Sequence, residues 1–374
     1  MRNVLAAGLA CAGLLGVAAC SSPPKPSGGA TALVIGNRQN MPAPALTQAA
    51  RAALDAAIER GDQLVIVSVT GDPKVVAKSD LACPWKSTEG CKKFLRDNLA
   101  KLPAIVTKYP ADAKETSLFA AIKLARDNIS SVPGPKQIIT IDSGLDTTGP
   151  LAMNDLSVLD ADAADLGKEL KTERYSPDLT GISVLMTGLG QTVAPQVRLT
   201  SPDSARLAAL WTAVLQQAGA KPIRIEPDSL PPGQRAAVLP VVSVTKRPEL
   251  PSPKNLCRQF RFNEAQLGFQ PNKSAFADRN RARTALRDLA AALQRTGFNV
   301  VLTGTTAYKE SRPGNPLSNA RATAAKGILV ELGVPAGHIL TQGVGINWSG
   351  YHPPDGPVEA MKMRLVLMDP TCPR

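Results

Sequence analysis

The sequence predicts an α/β protein in two parts: an N-terminal doubly wound, mostly parallel sheet and a C-terminal α+β domain. Three observations lead there. Between residues 31 and 227, short continuous apolar runs alternate with segments of helical spacing, the pattern of strands buried on both faces by crossover helices. From 228 to 254 the chain carries Pro231, Pro232, Pro240, Pro248, Pro251 and Pro253, and it reads as a linker. From residue 255 the order becomes strand, helix, strand, loop, helix, strand, strand, and 374 residues are long for a single core.

A separate segment precedes both parts. Residues 1–19 hold one cation, Arg2, and an apolar run from Val4 to Val17 that ends in Val17-Ala18-Ala19-Cys20. The run is short for a spanning helix and has the layout of a signal peptide. Small residues directly before Cys20 resemble the bacterial lipobox. That resemblance implies cleavage after Ala19, acylation of Cys20 with chains such as palmitate, and attachment to a membrane; the other reading is ordinary signal cleavage with Cys20 an incidental thiol. Residues 20–30, with Pro, Ser and Gly, read as a tether.

Removing a leader that holds Arg2 lowers the formal charge from +12 to +11. An exported, membrane-held protein of that charge favours anionic neighbours, namely phospholipid head groups, wall polymers and carboxylates. Aromatic residues are scarce and no zinc, helix-turn-helix or RNA-binding signature is present, so nucleic acid is not expected as a partner. Apart from Cys11 in the leader and Cys20, four cysteines remain, with three possible pairings. Cys83–Cys91 and Cys257–Cys372 are favoured. The first closes the short CPWKSTEGC loop. The second joins the two ends of the C-terminal domain, a loop on the order of 100 residues worth roughly 4–5 kcal/mol. Zinc is disfavoured, because no Cys-x-x-Cys exists and His338 and His352 lie far from three of the four cysteines in sequence.

In the first domain the strands are placed at Leu33-Val34-Ile35, Leu64 to Val69, Gln137 to Ile141, Ile182 to Met186 and Pro222 to Ile225. Helices are placed at Ala45 to Arg60, Phe94 to Ile105, Thr116 to Asn128, Asp160 to Lys171 and Ser204 to Ala218, the last with Pro202-Asp203 as its start and Gly219 as its stop. Function in such sheets sits in the loops at the carboxyl ends of the strands. The loop Gly36-Asn37-Arg38-Gln39-Asn40 has no GxGxxG or Walker pattern, so neither nucleotide nor other cofactor is expected. Without a G-x-S-x-G elbow or a His near a plausible nucleophile, no enzyme activity is expected.

Lys114-Glu115-Thr116-Ser117-Leu118 and Ile141-Asp142-Ser143-Gly144-Leu145-Asp146 resemble two of the three loops of a von Willebrand factor A domain. The resemblance implies a divalent cation held by Thr116, Asp142 and Asp146. The family's Asp-x-Ser-x-Ser is missing from the first loop, where Arg38 stands instead, and a guanidinium opposes a hard cation. The domain is therefore read as A-domain-like with a degenerate metal site, Thr116 capping a helix and the two aspartates shaping a turn.

In the linker, Val238 to Val244 is an apolar piece that reads as an edge strand of the first domain. The C-terminal domain holds most of the basic excess, with sixteen Lys and Arg against eight Asp and Glu from Lys254 onward. A strand region is predicted at Gln259 to Phe269, a helix at Asp278 to Thr296, a strand at Phe298 to Thr303, and strands at Ile339 to Gly343 and Lys362 to Met368. The Arg279, Arg281, Arg283 and Arg287 cluster reads as a solvated helix face. Gly304-Thr305-Thr306, Asn315, Leu317-Ser318-Asn319-Ala320-Arg321-Ala322, Leu332-Gly333-Val334-Pro335 and Gly343-Val344-Gly345 together resemble the OmpA-like peptidoglycan-binding domain, over roughly the last third of the chain. The resemblance implies binding of the diaminopimelate residue of the wall stem peptide. An Asp after G-x-T takes its ammonium, and the Arg of L-S-x-x-R-A takes its carboxylate.

Arg321 matches that Arg, while Ala307 stands where the Asp is expected. Loss of this partner weakens binding by roughly 1.5–3 kcal/mol, and Glu310 is a substitute to consider. At the domain's end Arg364 keeps one cation of the family pattern. The expected site is thus Thr306, Asn315, Arg321 and Arg364, in an envelope protein tied to a membrane by lipid and to peptidoglycan by its second domain, with the first domain a protein-binding module. The alternative is an envelope scaffold or assembly factor that has lost diaminopimelate binding and contacts protein or an anionic wall polymer.

Overall fold

The computed structural model describes residues 28–85, 87–153, 155–227, 229–231, 241–247, 251, 254–270, 272–310 and 315–372. The signal-peptide and lipidation readings, Cys20 included, lie outside them.

The predicted apolar runs form the first sheet. Ala30–Ile35 (β1), Gln63–Ser68 (β2), Lys74–Asp80 (β3), Lys136–Ile141 (β4), Ile182–Thr187 (β5) and Ile223–Ile225 (β6) stand in the order β3-β2-β1-β4-β5-β6. β1 is buried along its whole length and pairs in parallel with β2 on one side and β4 on the other. Winding reverses between β1 and β4, so the crevice outside their carboxyl ends is the switch point of the sheet. β3 is not predicted from the sequence. It is a half-exposed antiparallel edge strand, and its lysines break the apolar run that marks a buried strand while protecting the edge.

Among the described residues, five α-helices cover the sheet: Gln48–Arg60 (α1), Thr88–Lys108 (α2), Leu118–Ile129 (α3), Ala163–Thr172 (α4) and Ser201–Gln217 (α5). Each begins at a Ser, Thr or Asp whose side chain accepts a backbone N–H of the first turn, namely Thr47, Ser87, Ser117, Asp162 and Thr200. Alternation along β1 divides the core, with Ala32 and Val34 in the cluster that holds Ile122 and Trp211, and Leu33 and Ile35 in the cluster that holds Leu54 and Ile139.

The proline-rich stretch is not a free spacer over its described part. Leu230 and Val244 are buried, and the Gln196 amide bonds both the N–H and the carbonyl of Val244 at 2.9 and 2.7 Å. Arg247 pairs with Asp160 at 3.0 Å and Asp203 at 2.7 Å. In place of the expected edge strand, Thr245 forms a single parallel bridge to Asp155; residues 238–240 of that expectation lie outside the described residues.

The second sheet has the order β7-β10-β8-β9, built from Phe260–Asn263 (β7), Asn299–Thr305 (β8), Ile339–Gly345 (β9) and Leu365–Thr371 (β10). Its helices are Glu264–Leu267 (α6), Arg279–Thr296 (α7), Pro316–Glu331 (α8) and Pro357–Met363 (α9). Two expectations are corrected. The strand region at Gln259 to Phe269 stops at Asn263, whose side chain forms a capping box with Gln266 and starts α6. Lys362 and Met363 close α9 rather than opening the last strand, since Pro357 in the first turn favours a helix there. Disulfides join Cys83 to Cys91 and Cys257 to Cys372, with Cα atoms 5.5 and 5.7 Å apart.

The two domains share packing. Ala265, Val358 and Met361 join the first domain's core, the Asn263 amide donates to Ser157 Oγ at 3.0 Å, and Lys362 Nζ donates to the Ala152 carbonyl at 2.9 Å. No described helix is long and apolar enough to cross a membrane.

Candidate binding site

The loop between β8 and α8 is held by its backbone neighbours. A methyl group on Gly304 would overlap the Ser318 carbonyl, and one on Gly343 would meet the Asn315 carbonyl at 2.7 Å, so these glycines let α8 lie directly on β8 and β9. Thr305 Oγ1 donates to the Met363 carbonyl at 2.6 Å and accepts the Leu365 N–H at 2.8 Å, fixing the loop to β10. Thr306 Oγ1 donates to the Tyr308 carbonyl at 2.9 Å. Asn315 precedes α8 with φ 50°, a left-handed conformation that Asn tolerates, and its side chain makes no cap bond. The cap comes from Glu310, whose carboxylate accepts the N–H groups of Leu317 and Ser318 at 2.8 and 3.0 Å. Glu310 is thereby committed to the helix dipole rather than reaching toward a ligand ammonium.

Arg321 lies in the second turn of α8 and is 2% exposed. Its Nε donates to the Lys273 carbonyl at 3.2 Å, and its guanidinium carbon lies 5.4 Å from the Phe269 ring centroid, a ring stacked in turn on Phe276. Among the described residues no carboxylate forms an ion pair with it. Burial lowers its affinity for the proton, Glu264 partly restores it, and nearby Arg364 works against it. Arg364 is different: its two terminal nitrogens bind Glu264 at 2.9 Å and, across the domain interface, Glu169 of α4 at 2.9 Å. Burial opposes the Arg364 charge, but those two carboxylates hold it above the ordinary arginine range. Burial likewise raises Glu264, against the pull of Arg364 and Arg321.

Ala307 is 2% exposed and packs against Ala360 and Met363, flanked by Trp348 and Tyr351. The Tyr351 hydroxyl donates to the Ala307 carbonyl at 3.2 Å. The position where an Asp is expected is thus an apolar pocket.

The switch point of the first sheet is filled by protein. Arg38, after β1, binds both carboxylate oxygens of Asp142, after β4, and its Nη2 donates to Ser143 Oγ at 2.9 Å. Both side chains of the pair are fully buried. Asp146 accepts the N–H groups of Leu118 and Phe119 at 2.6 and 3.0 Å and caps α3. Desolvation by burial pushes its carboxyl up to about 7, against those two hydrogen bonds. Thr116 does not cap the helix as expected: Ser117 Oγ accepts the Ala120 N–H instead, and Thr116 is buried with its Oγ1 unpartnered. The two carboxylates among the weak metal candidates have other partners: Asp142 pairs with the Arg38 guanidinium, Asp146 caps α3, and no cluster of three or more His, Cys, Asp or Glu suited to a metal exists among the described residues.

The sequence reading brings Thr306, Asn315 and Arg321 to one loop and helix, and the structure places Arg364 beside Arg321 through their shared neighbour Glu264. It misses Phe269, Lys273, Glu264 and Glu169. The first three precede the motif in sequence, and Glu169 comes from the other domain, so no local spacing announces them.

This fold and site define an OmpA-like domain at the C-terminal end of a mixed α/β chain. Residues 268–350 match the model of the OmpA family. Among solved structures, the chain is similar to the OmpA-like domain of FopA1 from Francisella tularensis subsp. tularensis SCHU S4, with 17% identity, 30% of this chain and 72% of that one covered, and a TM-score of 0.23. It is also similar to the periplasmic domain of Helicobacter pylori MotB, with 16% identity, 29% and 73% covered, and a TM-score of 0.26. A third is the cell wall anchor of the T6SS from Pseudomonas aeruginosa, with 17% identity, 29% and 78% covered, and a TM-score of 0.25. No curated protein matches the chain.

Proposed function

We propose that this is an exported, non-enzymatic envelope protein, lipid-anchored at Cys20, that binds peptidoglycan non-covalently through its OmpA-like domain and so links a membrane to the wall. The observation that carries the reading is Arg321, a buried guanidinium at the position the family motif assigns to a ligand carboxylate, with no protein carboxylate paired to it among the described residues. Burying such a charge unpaired is unfavourable, and a carboxylate entering from the diaminopimelate of the stem peptide relieves it with charge-assisted, bidentate hydrogen bonds. Thr306 and Asn315 shape the loop beside it, while the terminal nitrogens of Arg364 are taken by Glu264 and Glu169. No metal or cofactor enters this role. Co-sedimentation with purified peptidoglycan at modest salt is the test: the parent protein pellets, and Arg321→Gln binds at least about tenfold more weakly. Equal pelleting of the two overturns the reading.

One observation favours the second reading, a scaffold that contacts protein or an anionic wall polymer. Ala307 is enclosed by apolar side chains and Glu310 caps α8, so neither answers a ligand ammonium. Competition separates the two. Release of the protein from walls by a soluble diaminopimelate muropeptide supports the first, and release by a soluble anionic polymer alone supports the second. The first domain, in either case, is read as an A-domain-like protein-binding module in which Arg38 replaces the divalent ion. Calorimetric titration with Mg²⁺ or Ca²⁺ then gives no heat of binding.

A further inference from the structure

We infer that Glu264 and Glu169, the two carboxylates held on Arg364, take the ammonium of an amino-acid end whose carboxylate goes to Arg321. The inference rests on the wall-binding reading and deepens it: the ligand group is a zwitterion with both charges on one carbon, and the first domain supplies part of its site.

The first support is the placement of charge. Arg364 Nη1 donates to Glu264 Oε2 and Nη2 to Glu169 Oε1, each at 2.9 Å. Two carboxylates on one guanidinium leave one negative charge over. The remaining oxygens, Glu264 Oε1 and Glu169 Oε2, accept no hydrogen bond from the described residues. Arg321 is the converse. It is 2% exposed, and beyond the Nε bond to the Lys273 carbonyl its terminal nitrogens donate to no described residue. Glu264 is the carboxylate that acts most on Arg321, and Glu310, the next, is committed to capping α8. A spare negative charge thus stands beside a spare positive one. A simple anion answers only Arg321, whereas an ammonium and a carboxylate on one carbon answer both.

The second support is position. Thr305 Oγ1 donates to the Met363 carbonyl at 2.6 Å and accepts the Leu365 N–H at 2.8 Å, so Arg364, between those two residues, is pinned beside the loop that leads to Ala307. Met363 itself packs on Ala307. The carboxylates on Arg364 are thereby brought next to the loop from which the expected Asp is missing. Partial burial raises the phenol of Tyr308, Arg364 opposes this, and Glu173 and Glu169 add to it, so the end of α4 faces the same loop. The Glu169 side chain is 30% exposed, which leaves it within reach of a ligand. Its placement does not depend on Arg364 alone, because Asn263 to Ser157 and Lys362 to Ala152 also tie the two domains together, at 3.0 and 2.9 Å.

The test is calorimetry on the full mature chain with Cys20→Ser. Three probes are used: a soluble diaminopimelate muropeptide, the same muropeptide acetylated at the diaminopimelate amine, and one amidated at the diaminopimelate carboxylate. The parent is expected to prefer the free amine over the acetylated form by about tenfold or more, and Glu169→Gln and Glu264→Gln are each expected to cut that preference to less than about threefold. In each variant Arg364 keeps one carboxylate, so no guanidinium is left bare and the fold is retained. A merely loosened site weakens the free and acetylated muropeptides alike and leaves their ratio unchanged. Equal binding of both by the parent, or a preference that survives both substitutions, overturns the inference; if amidation and Arg321→Gln still weaken binding, the wall-binding reading stands. Absence of binding, or binding that neither amidation nor Arg321→Gln weakens, overturns that reading as well.

Discussion

Two buried arginines divide this molecule by purpose. Arg38 and Arg321 are both essentially inaccessible: Arg38 follows β1 at the switch point of the first sheet, and Arg321 lies in the second turn of α8. Arg38 is answered within the chain, by both oxygens of Asp142 and by Ser143. Arg321 has a carbonyl and an aromatic face but no paired carboxylate among the described residues. A satisfied buried charge closes a crevice, whereas an unsatisfied one keeps a place for an anion.

Replacing each by the unbranched, uncharged Met makes the comparison quantitative. Arg38→Met leaves Asp142 buried without its partner and is expected to destabilise the protein by about 3–5 kcal/mol in urea unfolding, with recovery in Arg38→Met/Asp142→Leu. Arg321→Met removes an unpaired charge and is expected to leave stability unchanged or raise it. A large loss there would mean that Arg321 is a structural residue, and the comparison would fail. Asp146, which packs beside the Arg38 pair, adds a pH readout. Its carboxyl titrates near 7 in the folded protein because of burial and near 3.8 when unfolded, so the folded state holds the extra proton between those values. Stability contributed by this group is therefore greatest below pH 4 and falls as pH rises towards and through 7. A tenfold difference in proton affinity between the folded and unfolded chain corresponds to about 1.4 kcal/mol. Asp146→Asn does not titrate, so its deficit relative to the parent is expected to be largest at pH 5 and to shrink by pH 8 in thermal melts. A constant deficit would show that Asp146 stays ionised throughout.

The same contrast explains what could be read in advance. Arg38 among Gly36 to Asn40 argued against a cation in that loop by charge alone, because a guanidinium opposes a hard cation. Arg321 was legible because its motif is local, within one loop and one helix. What surrounds each was not legible. Glu169 reaches Arg364 across a domain interface, and the capping role of Glu310 depends on where the loop folds back, neither of which leaves a periodic trace. For the fold, buried strands declared themselves by continuous apolar runs, while β3 and α9 did not. β3 is half-exposed, and α9 is a single short helix started by Pro357.

The remaining predictions concern the ligand side of the comparison. Arg321→Met is expected to weaken peptidoglycan binding about ten- to a hundredfold with no loss of fold, which separates binding from stability at one residue. The reverse experiment is Ala307→Asp. Its carboxylate would enter the pocket of Ala360 and Met363, and without ligand that burial is expected to cost about 1–3 kcal/mol of stability. With a diaminopimelate muropeptide present, the same carboxylate faces an ammonium while Arg321 faces the carboxylate, and affinity by calorimetry should rise about tenfold. A variant that folds, loses stability as expected and gains no affinity would place the ammonium elsewhere. That outcome would favour an anionic polymer, which needs the arginine and has no use for an aspartate.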